Sequence, residues 1–394
     1  MAEKKRVAAI VTVYRRHSHA DVIVGKILEG YRHKGGKGPN LRLVSAYVDQ
    51  QAKGDLSQGL SQKHKFPICK TIEEALTLGG KQLAVDGVIC IGEHGNYPTN
   101  KRGQKLYPRR RFFEGVTQVF AKVKKSVPVF SDKHLSATWE DAKWMYDQSR
   151  KLFVPFLAGS SVPVAWRRPP LKLPMNCQLS EAVQIGYGGA ESYGFHALEG
   201  LQCMTERRKG GETGVKAVTC VQGEAIRKVV EQGRVSGKLL EAAMARAPDY
   251  KKGDYLSVIT KNNKAGVYLI EYRDGFKASV VMMNGWPRKK GGAAFCFAGQ
   301  IKGEKKPRAT HFYLQPVSPY GHFIYLVKAI ESLVQTGHAP YPVERTLLTT
   351  GVLEAAMISR SEKNRRVETK HLNVKYKPRD WPFATDPVPK PIKR

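Results

Sequence analysis

The sequence predicts an α/β chain: an N-terminal, doubly wound parallel sheet followed by an α+β region on an open, mostly antiparallel sheet. Three observations carry this. Through residue 160, apolar runs alternate with helical patterns, the rhythm of strand–helix–strand units. After Pro163, Pro169, Pro170 and Pro174 the strands shorten, alternate and are punctuated by Gly and Asn, as antiparallel strands are. With 394 residues, the chain also exceeds what one core usually holds. The expected boundaries are a nucleotide-binding-type domain over 1–162, a substrate and oligomerisation domain over 163–375, and a proline-rich tail over 376–394.

Residues 7–13 read as a buried parallel strand, and Ile23, Ile27 and Tyr31 recur at helical spacing over 20–31. LRLVSAYVDQ (41–50) makes a second strand ending in Asp49. Thr71 and Glu74 form a capping box that opens a helix, and VDGVICIG (85–92) follows as a strand. SVPVFSDKHL (126–135) holds the next strand, Thr138 with Asp141 opens the helix of Trp144 and Met145, and VPFLAGSS (154–161) supplies a further strand. In the second region, a helical stretch over 193–207 precedes KAVTCVQGE, YLSVITKN, GVYLIEYRDG and KASVVMMNG, all read as antiparallel strands. Late helices over 320–336 and 344–359 lead into the tail.

The 66 basic residues against 34 acidic give a formal charge of +32. The basic clusters PRRRFF, WRRPP, ERRKGG and WPRKKGG are scattered and build no long basic helix, so a solvated basic surface is expected rather than nucleic-acid binding. The six cysteines form no CxxC pair, which points to free thiols in a reducing, cytoplasmic compartment rather than structural zinc. No apolar run approaches the ~20 residues of a membrane-spanning helix.

In an open parallel sheet the ligand crevice lies beyond the carboxyl ends of the strands. Those ends carry Thr12, Tyr14, Arg15 and Arg16, then Asp49, then Glu93 and His94, then Asp132, Lys133 and His134. Asp49 is placed to accept hydrogen bonds from a ribose diol. Lys133 can donate a proton or hold a developing alkoxide. His196, at a helical start with Glu191 and Ser192 just before it, suits general acid or base work. Glu93, His94, Asp132, His134 and His196 also offer the oxygen and imidazole donors a divalent metal takes.

The order of elements, the SDKHLS lysine, the GG…GFH segment and the final VLEAAMISRSEKNRRV helix resemble the Gfo/Idh/MocA family of sugar and inositol dehydrogenases, over residues 6 to about 375. That resemblance implies a Rossmann domain, NAD or NADP as cofactor, and hydride transfer at a hydroxyl carbon of a sugar or polyol. It implies Lys133 as the catalytic lysine of the family's EKP motif and His196 as its histidine, with Glu191 beside the position of the partner acid. It also implies cofactor contacts from Thr12, Tyr14, Arg15, Asp49, Glu93 and His94, and a homo-oligomer. The sequence departs at the family's glycine motif, where Val11, Val13 and Arg16 replace all three glycines while His19 keeps the following histidine. Two alternatives therefore stay open: a non-redox lyase or hydrolase of a sugar derivative, with or without a metal, and a noncatalytic binding protein.

Overall fold

The computed structural model describes residues 3–248, 250–284, 286 and 294–393. The first layer runs β1 (Lys5–Val11), α1 (His19–Glu29), β2 (Leu41–Val48), α2 (Ser57–His64), β3 (Ile68–Cys69), α3 (Ile72–Thr77), β4 (Gly87–Ile91), α4 (Arg109–Val123), β5 (Val129–Asp132), α5 (Trp139–Lys151) and β6 (Phe156–Gly159). Its six strands pair in the order β3-β2-β1-β4-β5-β6, all parallel. The central strands are apolar throughout because helices cover both faces: Val7–Val11 and Gly87–Ile91 are buried at every position. The chain order reverses between β1 and β4, which places the crevice of such a sheet at their carboxyl ends.

The second layer holds β7 (Trp166–Arg168), β8 (Leu179–Gly186), α6 (Gly194–Thr205), β9 (Val215–Val221), α7 (Glu224–Glu231), α8 (Gly237–Met244), α9 (Tyr255–Ile259), β10 (Gly266–Tyr272), β11 (Lys277–Met282), β12 (Phe295–Ile301), β13 (Arg308–Tyr313), α10 (His322–Thr336), α11 (Glu344–Ser361) and β14 (Val367–Glu368). Eight strands pair in the order β14-β9-β10-β11-β8-β12-β13-β7, antiparallel except where β11 meets β8. One apolar core joins the layers: Phe112, Phe113 and Val129 of the first share a cluster with Phe195, Tyr268 and Leu353 of the second. Helix α10 returns to the first layer, where Leu326, Ile330 and Leu333 pack with Val7, Ile23 and Val24.

Three expectations change. YLSVITKN is not a strand: Asp254 caps the backbone N–H of Ser257 and starts α9, a local hydrogen bond that outweighs the weak alternation. The far face of the large sheet is not bare, because α7, α8 and α9 pack Ile226, Leu240 and Ile259 onto Val183, Val267 and Val281. The basic clusters are not simply a solvated surface. Arg109, Arg167, Arg207 and Arg208 are buried, and Arg208 pairs with Glu212 and Asp274; the 287–290 run of the fourth cluster lies outside the described residues. The tail, free of regular structure as its prolines require, is nonetheless laid on the fold through Ala384 N–H to Val164 O and Ile392 N–H to Ser318 O. No described helix is long and apolar enough to cross a membrane.

Candidate functional site

The carboxyl ends of β4, β5 and β6 meet the first turn of α6. Lys133 follows β5 with φ 65° and His94 follows β4 with φ 67°, left-handed conformations that cost a non-glycine residue about 1 kcal/mol or more and concentrate at functional sites. Lys133 Nζ lies 3.1 Å from Glu93 Oε1, while Arg109, from the first turn of α4, reaches Glu93 Oε2 at 2.8 Å. Burial alone would raise the Glu93 carboxyl, but Lys133 and Arg109, helped by His19 and His94, hold it well below the usual carboxylate range. It is therefore an anion that fixes two cations. Arg109 Nη1 also lies 3.1 Å from His134 Nε2, and burial, then Arg109, pushes His134 well below its ordinary value.

Two further imidazoles reach this cluster from opposite layers. His19, the first residue of α1, places Nδ1 2.7 Å from Asp132 Oδ2. His196, in the first turn of α6, places Nδ1 2.7 Å from Ser160 Oγ. Burial, followed by Lys133 and His19, keeps His196 well below its ordinary value, so it is neutral at neutral pH. Glu191 moves the other way, raised to about 6 by burial against the pull of Arg109. His94 is pushed down to about 4, by burial first and then by His19. Buried polar atoms without a hydrogen-bond partner gather here too: His94 Nε2, Arg109 Nε and His134 Nδ1.

Glu93, His94, Lys133 and His196 lie at this end of the sheet, with Glu191 within electrostatic reach of Arg109 and Glu93, whereas Thr12, Tyr14, Arg15 and Asp49 do other work. The Thr12 hydroxyl donates to the Glu93 carbonyl and anchors the loop after β4. Tyr14 is buried in the core with Ile23 and Phe66. Arg15 is exposed, and its backbone forms an isolated antiparallel β-bridge with Asp55. Asp49 accepts hydrogen bonds from the Tyr47 and Tyr97 hydroxyls at 2.7 and 2.6 Å and from Arg111 at 2.6 Å. The carboxylates offered for a metal already face cations or imidazole, and among the described residues no group of three His, Cys, Asp or Glu is set to hold a metal ion. Sequence reasoning missed Arg109, because PRRRFF looks like a surface run, and Ser160, which carries no signal of its own.

The same crevice tests the dinucleotide that the family resemblance implies. A glycine-motif site needs a tight turn, backbone close to the pyrophosphate and an open helix N-terminus. Here residues 12–18 separate β1 from α1. The N-terminus of α1 is capped by side chains: Ser18 Oγ accepts the Asp21 N–H at 3.3 Å, and the buried Asp21 carboxylate accepts the His17 N–H at 2.8 Å. That puts negative charge where an anion would bind. Across the end of β1, Gln50 and Asn96 exchange two hydrogen bonds of 3.0 and 2.9 Å. A Cβ on Gly95 would stand 3.0 Å from Gln50 Oε1 and 3.3 Å from Val13 Cγ1, so the β4 loop lies directly on the β1 turn. With the ribose acceptor engaged and the crevice crossed, these residues do not fit a dinucleotide in that pose.

The fold and the cleft define a two-layer architecture, a Rossmann-like parallel sheet joined to a large mixed sheet. Solved structures share it. GenD2 from gentamicin A biosynthesis, in complex with NAD, is similar over 93% of this chain and 97% of its own at 14% identity and TM-score 0.57. The apo scyllo-inositol dehydrogenase from Lactobacillus casei matches over 93% and 99% at 10% identity and TM-score 0.55. A probable dehydrogenase from Thermotoga maritima matches over 93% and 99% at 13% identity and TM-score 0.55. At such identities the likeness establishes the fold. No family model matches the chain, and no curated protein matches it.

Proposed function

We propose that this protein is a cytoplasmic enzyme that performs acid–base chemistry at a hydroxyl-bearing carbon of a sugar- or polyol-like molecule bound between the β5 end and α6. The observation that carries this reading is Lys133, in a left-handed conformation and held by the Glu93 carboxylate at 3.1 Å, next to the cluster that contains a neutral His196. Lys133 stabilises negative charge on the substrate oxygen, His196 donates a hydrogen bond to it, and Glu191 serves as a carboxyl group able to exchange a proton near pH 6. The buried, unpaired cysteines suit the reducing compartment.

A second reading, NAD(P)-dependent hydride transfer, is favoured by the structural neighbours, two of which are a scyllo-inositol dehydrogenase and a probable dehydrogenase, while GenD2 holds NAD. The closed turn over 12–18 counts against it. The test is conversion of a panel of sugars, polyols and their acids by wild type and Lys133→Met, each with and without NAD and NADP. We expect turnover without nicotinamide and a loss of about 10²- to 10⁴-fold in the variant. Turnover that depends on NAD or NADP would transfer the assignment to hydride transfer, and activity indifferent to Lys133 would end the proposal. Self-association is part of the same reading, checked by light scattering; a monomer at all concentrations removes it.

A further inference from the structure

His19 and His196 are both anchored through Nδ1, but to partners of opposite character. The Asp132 carboxylate accepts, so His19 Nδ1 carries a proton and Nε2 is the ring atom left to exchange one. Ser160 Oγ already accepts the Val162 N–H at 3.1 Å, and among the described residues His196 Nδ1 is the one acceptor left for the hydroxyl proton. His196 therefore accepts at Nδ1 and carries its hydrogen on Nε2. Ser160 is itself held from behind, its N–H 3.3 Å from Glu199 Oε2, which approaches closely because Gly159 has no Cβ to block it.

The anchors are neighbours. Asp132 pairs with Gly159 in the sheet register, and Lys133 N–H donates to Gly159 O at 3.1 Å. One imidazole thus hangs from the residue before Lys133 and the other from the residue after Gly159, on either side of the backbone bridge that positions the lysine. Neither Nε2 is among the buried atoms left without a partner.

We propose that His19 is the general base and His196 the neutral hydrogen-bond donor of a site that shifts a carbonyl between adjacent carbons of a sugar-like hydroxy-aldehyde or hydroxy-ketone, with no hydride acceptor. The inference rests on the acid–base reading above and names its substrate class. His19 Nε2 takes the proton from the hydroxyl-bearing carbon beside the carbonyl. The C–H pair becomes the C=C bond of an enediol, while the carbonyl π pair moves to its oxygen, which takes the Nε2 proton of His196 beside the Lys133 ammonium. His196 then removes the proton of the neighbouring hydroxyl, whose oxygen closes the new C=O bond. The C=C pair takes the proton back from His19 at the former carbonyl carbon. Every atom and electron remains in the substrate or returns to its donor, and Asp132 stabilises the transient His19 imidazolium.

Two measurements test this. Long-range 1H–15N spectra of histidine-labelled protein, assigned with His19→Gln and His196→Gln, should show a bare Nε2 on His19 and a protonated Nε2 on His196; the same tautomer on both overturns the proposal. Aldohexoses and ketohexoses incubated in D2O without nicotinamide should gain carbon-bound deuterium, and His19→Gln and Asp132→Asn should slow that gain by about 100-fold and about 10-fold at unchanged circular dichroism. No deuterium in any of these sugars overturns it. If sugar turnover depends on Lys133 but needs NAD or NADP and admits no solvent deuterium, this inference fails while the lysine's role stands; indifference to Lys133 sinks both.

Discussion

The two halves of the crevice treat their polar groups differently. On the β1–β2 side, Asp49, Gln50, Asn96, Tyr97 and Arg111 hydrogen-bond one another, and Asp21 closes the helix that a phosphate would need. On the β4–β6 side, Lys133, His19 and His196 are each oriented by a neighbour: Glu93, Asp132 and Ser160. The same sheet edge is cross-bonded at one end and gathers buried, charge-coupled side chains at the other. Fold likeness alone would have assigned both ends a function.

The comparison breaks first at the level of rate. Lys133→Met should cost about 10³-fold in turnover, some 4 kcal/mol of transition-state stabilisation. Asp49→Asn and Arg15→Ala should change turnover less than about threefold, because neither residue joins the cluster. Steady-state assays of the three variants decide it; an Asp49 variant as inactive as the lysine variant would restore the β2 end to the active site.

Stability should rank the halves in another order. Arg109→Met leaves the Glu93 carboxylate with Lys133 as its sole ion-pair partner, and breaking such a buried pair costs about 3 kcal/mol or more. Gln50→Ala, on the closed side, should cost about 1 kcal/mol through its two exposed hydrogen bonds. Urea denaturation monitored by tryptophan fluorescence separates the two; equal midpoints would mean that Glu93 is not held as its geometry indicates.

How much of this is written in the sequence follows from where each signal lives. Strands such as Gly87–Ile91 are legible because burial on both faces demands an unbroken apolar run, and residues just past such a run, as His94 and Lys133 are, become legible with it. Arg109 is not, since one residue of a basic triplet is turned inward by the phase of α4 while Arg110 and Arg111 face Asp141 and Asp49. Tyr14 misleads for the same reason in reverse: the sequence puts it at a strand end, and the wandering of residues 12–18 buries its ring. Family likeness named His19 without its partner, because Asp132 lies 113 residues away and the pairing exists only in three dimensions.

Acid should act on the β4–β6 half through its histidines. His94, His134 and His196 have folded-state values below their unfolded ones, so the unfolded chain binds more protons; their contribution is complete above about pH 6.5 and is lost as pH falls toward the folded value, about 4 for His94. Glu191 opposes this, being raised to about 6: its protonation between there and the ordinary carboxylate value favours the folded state. Elsewhere in the chain His322 and His371 add to the histidine side and Glu181, Glu199 and Glu354 to the carboxyl side, so the readout is a difference: the thermal midpoint of His134→Gln should fall less than that of wild type between pH 6.5 and 4. An equal fall in both proteins would show the His134 imidazole to be hydrated, not buried.

The smallest expected effect falls on the closed half. A ligand present at a hundred times its dissociation constant stabilises a folded protein by about 2.7 kcal/mol, which a melting curve resolves readily. Millimolar NAD, NADP or ADP-ribose should leave the midpoint where it was, because binding would first have to displace the Asp21 carboxylate from the α1 N-terminus and part the Gln50–Asn96 bridge from the β1 turn. Each of those contacts is worth only about 1 kcal/mol, so a cofactor that bound with micromolar affinity could open them. A clear upward shift with NAD would therefore show the crevice to be a latch, and Gln50→Ala should then enlarge the shift; no shift in either protein keeps it a wall.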